Sequence, residues 1–382
     1  MSASTKAAMH FAFAEQETVQ VTNHANVEGW STASQDFKVG IFDWMDDARI
    51  PPSDNFAHRL DVVAFAEKLG FSHYHLAEHH GTPIGIGCAP NPFLAAVAAR
   101  THSIRFGPMV TLPAIFHPLR QLEETLVLDH LSRGRYDLGL GRGSVPYEQG
   151  FFGVSMADTR GYLDESLEIL IQGFTTGKVE HAGKHYTIEN YRTPMRPYQR
   201  PYPPIWYASA NIESAEWIGR SNFNVLVGGP GSMDSHGAFL EKYMEAGRAP
   251  FENRFNPGIA RPMHGIARHI YVAETDEQAR REAGEALKVW SENFNYLSER
   301  FGRTLAEFDM NTWMESGFVV VGSPSSVRAQ LSRMLTVTGG NFLNGAFIFG
   351  NLNTQQVCRS LDLFARQVFP EFFQTTKTPI AA

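Results

Sequence analysis

Ala77, Glu78, His79, His80 and Gly81 follow directly on the apolar run Tyr74 to Leu76, bringing two imidazoles and a carboxylate to the end of a short strand. If extended geometry persists, Glu78 and His80 share one face and His79 points to the other. Histidines divided in this way are poor partners for a single metal. SHYHLAEHH could offer a ligand set, but a first-row ion would want better spaced donors, so no metal site is expected. A histidine at a strand end that acts as acid, base or hydrogen-bond donor is the more economical reading. The plain alternative is a buried structural histidine.

A second constellation is Gly139, Gly141, Arg142 and Gly143. A long cation between two small residues lets guanidinium and backbone amides approach one phosphate, whereas the bland reading is a simple loop. The glycines do not make the dinucleotide fingerprint, which needs a helix at once; Val145, Pro146, Tyr147 and Glu148 read as non-helical. The GxSxG elbow, HExxH and the GxxxxGK[ST] loop are absent.

The elements that position these groups alternate. Pro118 opens a helix in which Leu119, Leu122, Leu126, Val127 and Leu131 recur at helical spacing, and Ser132, Arg133 and Gly134 stop it. Tyr136, Leu138 and Leu140 then supply a strand that ends at Gly141. Further strands are expected at Phe37 to Phe42, His73 to Leu76, Ile104 to Leu112, Ile205 to Ala208, Asn224 to Val227, His269 to Ala273 and Gly345 to Phe349. Helices fit between and after them, including one capped by Asp54 or Asn55, one from Pro92 to Arg100, and one from Arg160 to Phe174 with Asp158 or Thr159 as cap. The repeat of strand then helix predicts an α/β fold, a closed (β/α)8 TIM barrel, with the doubly wound sheet as competitor. Residues 177 to 204 read as a polar, proline-rich excursion. Material from Trp290 to Leu335 exceeds a minimal step and is expected over the C-terminal mouth, where barrel ligands bind.

The chain of 382 residues accommodates one such barrel, placed at 37–375, with a tail at 376–382. Residues 1–36 lack sustained periodicity and read as an arm or disordered lead, or as a segment packed on a partner subunit. The 33 basic and 40 acidic residues give a net charge of −7, which argues against a nucleic-acid surface. Ala7 to Ala14 is too short to span a membrane. Cys88 and Cys358 are too few for a disulfide scaffold or a CxxC knuckle, and a cytoplasmic enzyme is the plain expectation.

Joined together, AEHH (77–80), FHPLRQLEETLVLDHLSRGRYDLGLGRG (116–143), FFGVSMADTRGYLDESLEIL (151–170), PPIWYASANIESAEW (203–217) and VGSPSSVRAQL (321–331) resemble the bacterial luciferase-like flavin-dependent monooxygenases. The resemblance spans Phe37 to Phe369. It implies a barrel that uses reduced FMN (FMNH2), supplied by a separate NAD(P)H:flavin reductase, to activate O2 as a C4a-peroxyflavin and oxidise a small organic substrate, commonly as a homodimer. Position by position, His79 resembles the catalytic histidine and Glu78 its flavin-site neighbour. Arg142 and Arg160 resemble the two arginines that hold the FMN phosphate, and Ser209, Ala210 and Asn211 the loop that receives it, which agrees with the unsatisfied amides of a helix start. Met109 falls where the family often has a cis peptide beside the flavin.

Light-emitting members carry a cysteine where this chain has Gly141, which on this reading widens the space over the flavin and suits a hydroxylase or Baeyer–Villiger type enzyme. Trp44, Phe116, Trp206, Trp290 and Trp313 could line a dry cavity. An F420-dependent oxidoreductase of the same superfamily, a non-catalytic flavin-binding partner subunit and a metal-dependent barrel hydrolase are the rivals. No motif names the substrate.

Overall fold

A computed structural model of the chain describes residues 37–229, 231–248, 255–305 and 307–373. The expected arm over 1–36 and the tail over 376–382 lie outside the described residues. Strands and helices alternate as β1 (Lys38–Asp43), α1 (Pro52–Leu69), β2 (His73–Leu76), α2 (Pro90–Arg100), β3 (Arg105–Pro108), α3 (Pro118–Leu131), β4 (Leu138–Leu140), α4 (Pro146–Phe151), α5 (Thr159–Thr176), β5 (Lys178–Ala182) and β6 (Thr187–Arg192). The series continues with β7 (Ile205–Ala208), α6 (Ile212–Arg220), β8 (Asn224–Val227), α7 (Met233–Arg248), β9 (His264–Val272), α8 (Asp276–Arg300), α9 (Met310–Glu315), β10 (Val319–Gly322), α10 (Pro324–Thr338), β11 (Phe342–Ile348) and α11 (Thr354–Leu363).

Parallel pairing runs β3-β2-β1-β11-β9-β8-β7-β4, and bridges from Phe106 to Tyr136 and from Thr111 to Leu140 join the two ends. The ring is therefore a closed parallel barrel, as expected. Its β3–β4 seam depends on two glycines. A Cβ on Gly107 would run into the carbonyl oxygen of Asp137, and one on Gly139 into that of Pro108.

Side chains alternate across the wall with the strand period of two. Val39, Ile41, Tyr74 and Leu76 join the large core between strands and helices. Phe42, Ala77, Met109, Trp206, Leu226, Phe342 and Ala346 pack as a separate cluster inside the ring. Polar groups share that interior. Arg105 Nε donates to Asp137 Oδ1 at 3.0 Å, and the His75 ring stands 4.7 Å from that of Trp206. Burial alone would push the Asp137 carboxyl up, but Arg105 and the neighbouring histidines hold it well below the usual carboxylate range.

Several local expectations need correction. Residues 177–204 contain an antiparallel hairpin, β5 with β6, that interrupts the barrel repeat. Helix α1 begins at Pro52 and α2 at Pro90, because each carries proline in its first turn, where a missing N–H costs nothing. Val127 and Leu131, read as part of the buried stripe of α3, are 44% and 59% exposed; Gln121, Thr125 and Asp129 take the buried face with Leu122 and Leu126. The Trp290 to Leu335 material is also divided. β10 pairs along the second half of β9, from Val319 with His269 to Gly322 with Val272, so this part extends the wall. The end of α8 does cross the mouth: Phe301 stacks on Tyr147 of α4 with centroids 3.8 Å apart and planes at 3°.

Candidate active site

His79 lies just past the end of β2, at the C-terminal mouth, and Gly85 packs its bare Cα against it; a Cβ there would stand 2.7 Å from His79 Cβ. Its partner is Glu148 on α4. The stretch read as non-helical from sequence is in fact a six-residue helix, started by Pro146 in its first turn. That turn carries the Glu148 side chain, 3% exposed, to 2.9 Å between Oε1 and His79 Nδ1. With Nδ1–H donated to a carboxylate, Nε2 is left as the free acceptor. This dyad fixes both the tautomer and the tilt of the ring. Glu148 was not singled out as a site residue, although Pro146 is a helix-start signal that could have placed it.

Glu78 and His80 share one side, as strand geometry requires, and pair with each other at 3.0 Å between Oε1 and Nε2. Burial raises the Glu78 carboxyl above its ordinary value, with His80 opposing the shift. No group of three or more His, Cys, Asp or Glu residues able to hold a metal occurs among the described residues.

Arg142, Arg160 and the Ser209–Asn211 loop come from β4, α5 and β7, yet they meet. Arg142 reaches Thr159, the neighbour of Arg160, and Arg160 reaches Trp217 of α6; burial pushes the Tyr207 hydroxyl beneath them up to about 12, and the two positive charges oppose that shift. Arg142 is exposed, its Nε donates to Thr159 Oγ1 at 3.3 Å, and it makes no ion pair among the described residues. Arg160 lies over the Trp217 ring, 4.2 Å from its centroid, while also pairing with Asp164 at 2.8 Å. Asn211 is the N-cap of α6, accepting from the Glu213 amide at 3.1 Å. Ser209 Oγ braces the same turn, accepting from the Asn211 amide at 3.1 Å. Ala210 is exposed between them. Two cations and the amide end of a helix thus converge on one patch of the rim, which suits a phosphate.

The floor of the mouth is built from small and apolar groups: Ala77, Met109, Ala346, Ala208, Ala267 and Val110. The Met109–Val110 peptide is cis, and Met109 follows β3 rather than lying within it. Gly141 does not open the space expected of it. A Cβ there would collide with Val110 Cγ2, so the volume a cysteine would need is already filled by valine.

One wall is aromatic. Trp44 stacks on His79, with centroids 5.5 Å apart and planes at 23°, and packs against Trp290 at 5.6 Å. Trp290 in turn meets Trp313 at 5.9 Å. The loop carrying Trp44 is pinned by Asp46, which accepts from the Gly350 amide at 2.8 Å and from Arg59 Nη2 at 3.1 Å. Trp206 belongs elsewhere: it is fully buried inside the barrel between His75 and Phe342, because its strand position points it to the interior. Phe116 is half-buried just before α3. His269, on β9 and 2% exposed, completes the wall and was not anticipated, since a histidine inside a strand carries no local signal.

Comparison with known proteins agrees with this geometry. The sequence profile described as luciferase-like monooxygenase matches residues 37–340. The chain is 36% identical to the uncharacterized protein y4wF of Sinorhizobium fredii, over 82% of this chain and 91% of that protein. It is 26% identical to limonene 1,2-monooxygenase of Rhodococcus erythropolis, over 83% and 82%. The oxygenase component of flavin-dependent trigonelline monooxygenase from Acinetobacter baylyi is 29% identical over 63% of this chain and 65% of its own. Among solved structures, monooxygenase RslO1 of Streptomyces bottropensis superposes with a TM-score of 0.77 at 26% identity, covering 88% of this chain and 99% of that one. The oxygenating constituent of 3,6-diketocamphane monooxygenase from Pseudomonas putida, solved with FMN, shares the fold with a TM-score of 0.72 at 21% identity, over 88% and 98%. With that profile matching residues 37–340 and the closed parallel barrel it requires in place, the chain belongs to the luciferase-like monooxygenase family.

Proposed function

We propose that the protein is the oxygenase of a two-component system, taking reduced FMN from a separate NAD(P)H:flavin reductase and using O2 to oxidise a small organic molecule. The observation that carries this reading is the convergence of Arg142, bonded to Thr159 beside Arg160, and of Arg160, laid over Trp217 of α6, on the same rim as a carboxylate-oriented His79. On it, the rim cations and the Ser209–Asn211 amides would hold the FMN phosphate, and Met109, Gly141 and Glu78 would border its ring. Reduced flavin, when bound, would supply the electrons that activate dioxygen. His79 Nε2 would hold or exchange a proton at the oxygen being transferred or at the substrate, and the aromatic wall with Phe301 across the mouth would keep water out. The oxygenase-component relative supports the separate reductase. Exposed Val127 and Leu131, four residues apart on α3, offer an apolar strip for a homodimer.

The test is turnover of candidate compounds with a flavin reductase, FMN, NAD(P)H and labelled O2, scored by incorporation of one labelled oxygen atom. His79→Ala should uncouple NAD(P)H oxidation from oxygen transfer. Full coupled oxygenation by that variant would refute the role of His79. Absence of incorporation across substrates that the wild-type chain demonstrably binds would refute the monooxygenase reading.

A further inference from the structure

Two polar atoms in the aromatic wall, His269 Nε2 and Trp290 Nε1, are buried without a hydrogen-bond partner among the described residues. Their rings stand 4.5 Å apart at 69°. Three further rings complete a box around the imidazole. Trp44 lies parallel to it at 6.5 Å and 7°, and Phe318 and Phe349 each lie at 5.3 Å. An indole N–H can only donate, and leaving such a donor buried and unmet forfeits the hydrogen bond it makes with water in the unfolded chain. His75 Nε2 and Trp206 Nε1 form a comparable unmet pair, but inside the barrel core, whereas this pair shares the Trp44 wall with His79.

The chemistry of the receiver can be narrowed. Burial first, and then the charge of Arg268, pushes the His269 imidazole down to about 3, so near neutral pH it is uncharged and can present an N–H at Nε2. Arg268 itself is turned toward α7, where Nη2 stands 2.6 Å from His236 Nδ1, and Nη1 donates to the Ala267 carbonyl at 2.6 Å, so its terminal nitrogens are engaged outside the box. Two neutral donors among aromatic rings would hold an uncharged oxygen acceptor. A carboxylate would be desolvated there with no cation bonded to it, and a hydrocarbon would leave both donors unmet.

We propose that this box is a substrate subsite that takes the carbonyl oxygen of a neutral, largely apolar molecule, the oxygen accepting from Trp290 Nε1–H and His269 Nε2–H together. The assignment rests on the reading of His79 as the reaction's histidine, because Trp44 is the shared wall: it stacks on His79 and lies parallel to His269. Gripping an oxygen remote from the reacting atom would spend binding energy on orienting the substrate. An ordered water between the two donors is the competing occupant.

The experiment uses the purified chain without flavin, labelled with 15N at its indoles, with the Trp290 resonance assigned from Trp290→Phe. Cyclohexanone, 4-tert-butylcyclohexanone and cyclododecanone are titrated, each against its parent hydrocarbon. At least one ketone should shift the Trp290 Nε1–H resonance and bind about tenfold or more tighter than its hydrocarbon. His269→Phe and Trp290→Phe should each abolish that preference while leaving hydrocarbon affinity unchanged, and His269→Gln, which retains a donor, should restore part of it. If no ketone moves the resonance, or if the Phe variants lose ketone and hydrocarbon equally, the subsite is wrong and water is the occupant. Separate FMN titration of the same variants keeps the two readings apart: loss of the ketone preference with intact FMN binding strikes only the subsite, whereas a wild-type chain that takes the ketone but no FMN strikes only the flavin reading.

Discussion

Glu148 Oε1 sits 2.9 Å from His79 Nδ1, although 69 positions separate the two residues in sequence. The pair forms only because α4 turns immediately after the β4 strand end and aims its one buried carboxylate back across the mouth. A carboxylate in that place sets the His79 tautomer and would stabilise the imidazolium that appears when Nε2 takes a proton. Glu148→Gln keeps the size and removes the charge. Coupled oxygenation should fall by about 10²–10⁴ in kcat, with KM little changed, in steady-state assays with the reductase. Unaltered kcat would mean that Glu148 only packs against the ring.

Gly141 and Val110 give a second expectation. Because a Cβ on Gly141 meets Val110 Cγ2, Gly141→Ala should destabilise the fold by about 1–3 kcal/mol, as overpacked sites do. Adding Val110→Ala should recover much of that loss. Urea melts of the single and double variants decide the matter: a double variant less stable than the sum of the two singles would show that the contact is not the cause.

Stability should weaken in acid through the buried histidines. The unfolded chain takes a proton on His269 near 6.5, while the folded chain refuses it until about 3. Between those values the unfolded state holds more protons, so this contribution is fully present above 6.5 and is lost as the pH falls toward 3. One such group contributes a slope of up to about 1.4 kcal/mol per pH unit. His73 and His236, each pushed down to about 3 chiefly by burial, act in the same direction. Asp46 opposes them, since burial pushes its carboxyl up to about 7 and the folded state then holds the extra proton from there down to the ordinary carboxylate range. Urea midpoints at pH 7 and pH 5 should show the net decline, and His269→Phe should make it shallower. An unchanged slope in that variant would mean that His269 does not titrate between the two states.

The barrel was legible because its strands and helices have different periods and punctuate each other with proline and glycine. The places of His79, Arg142 and Arg160, at two strand ends and a helix start, are legible as well, while their roles belong to the proposal. What the residues did not show depends on partners distant in sequence. Glu148 reads as a loop acid in the sequence, and the helix that Pro146 starts is what carries it to His79. His269 reads as any strand residue, because Trp44, Trp290 and Phe349, which close around it, lie far from it in sequence. Gly141 suggested open space, but the side chain that fills that space comes from another strand end, at Val110. Trp206 shows the reverse: its aromatic character suggested the mouth, and its register on β7 placed it in the barrel core. The β5–β6 hairpin was missed because its burial is weak, with exposed positions predominating along both strands.

The central claim is that the rim cations bind the phosphate of a flavin mononucleotide, and anaerobic titration of the purified chain with reduced FMN and reduced riboflavin tests it most directly. Arg142→Ala should weaken FMN by about tenfold or more, the loss of one charge-assisted contact, and leave riboflavin nearly unaffected, since riboflavin has no phosphate. Equal loss for both flavins, or no FMN binding by the wild-type chain, would contradict the account.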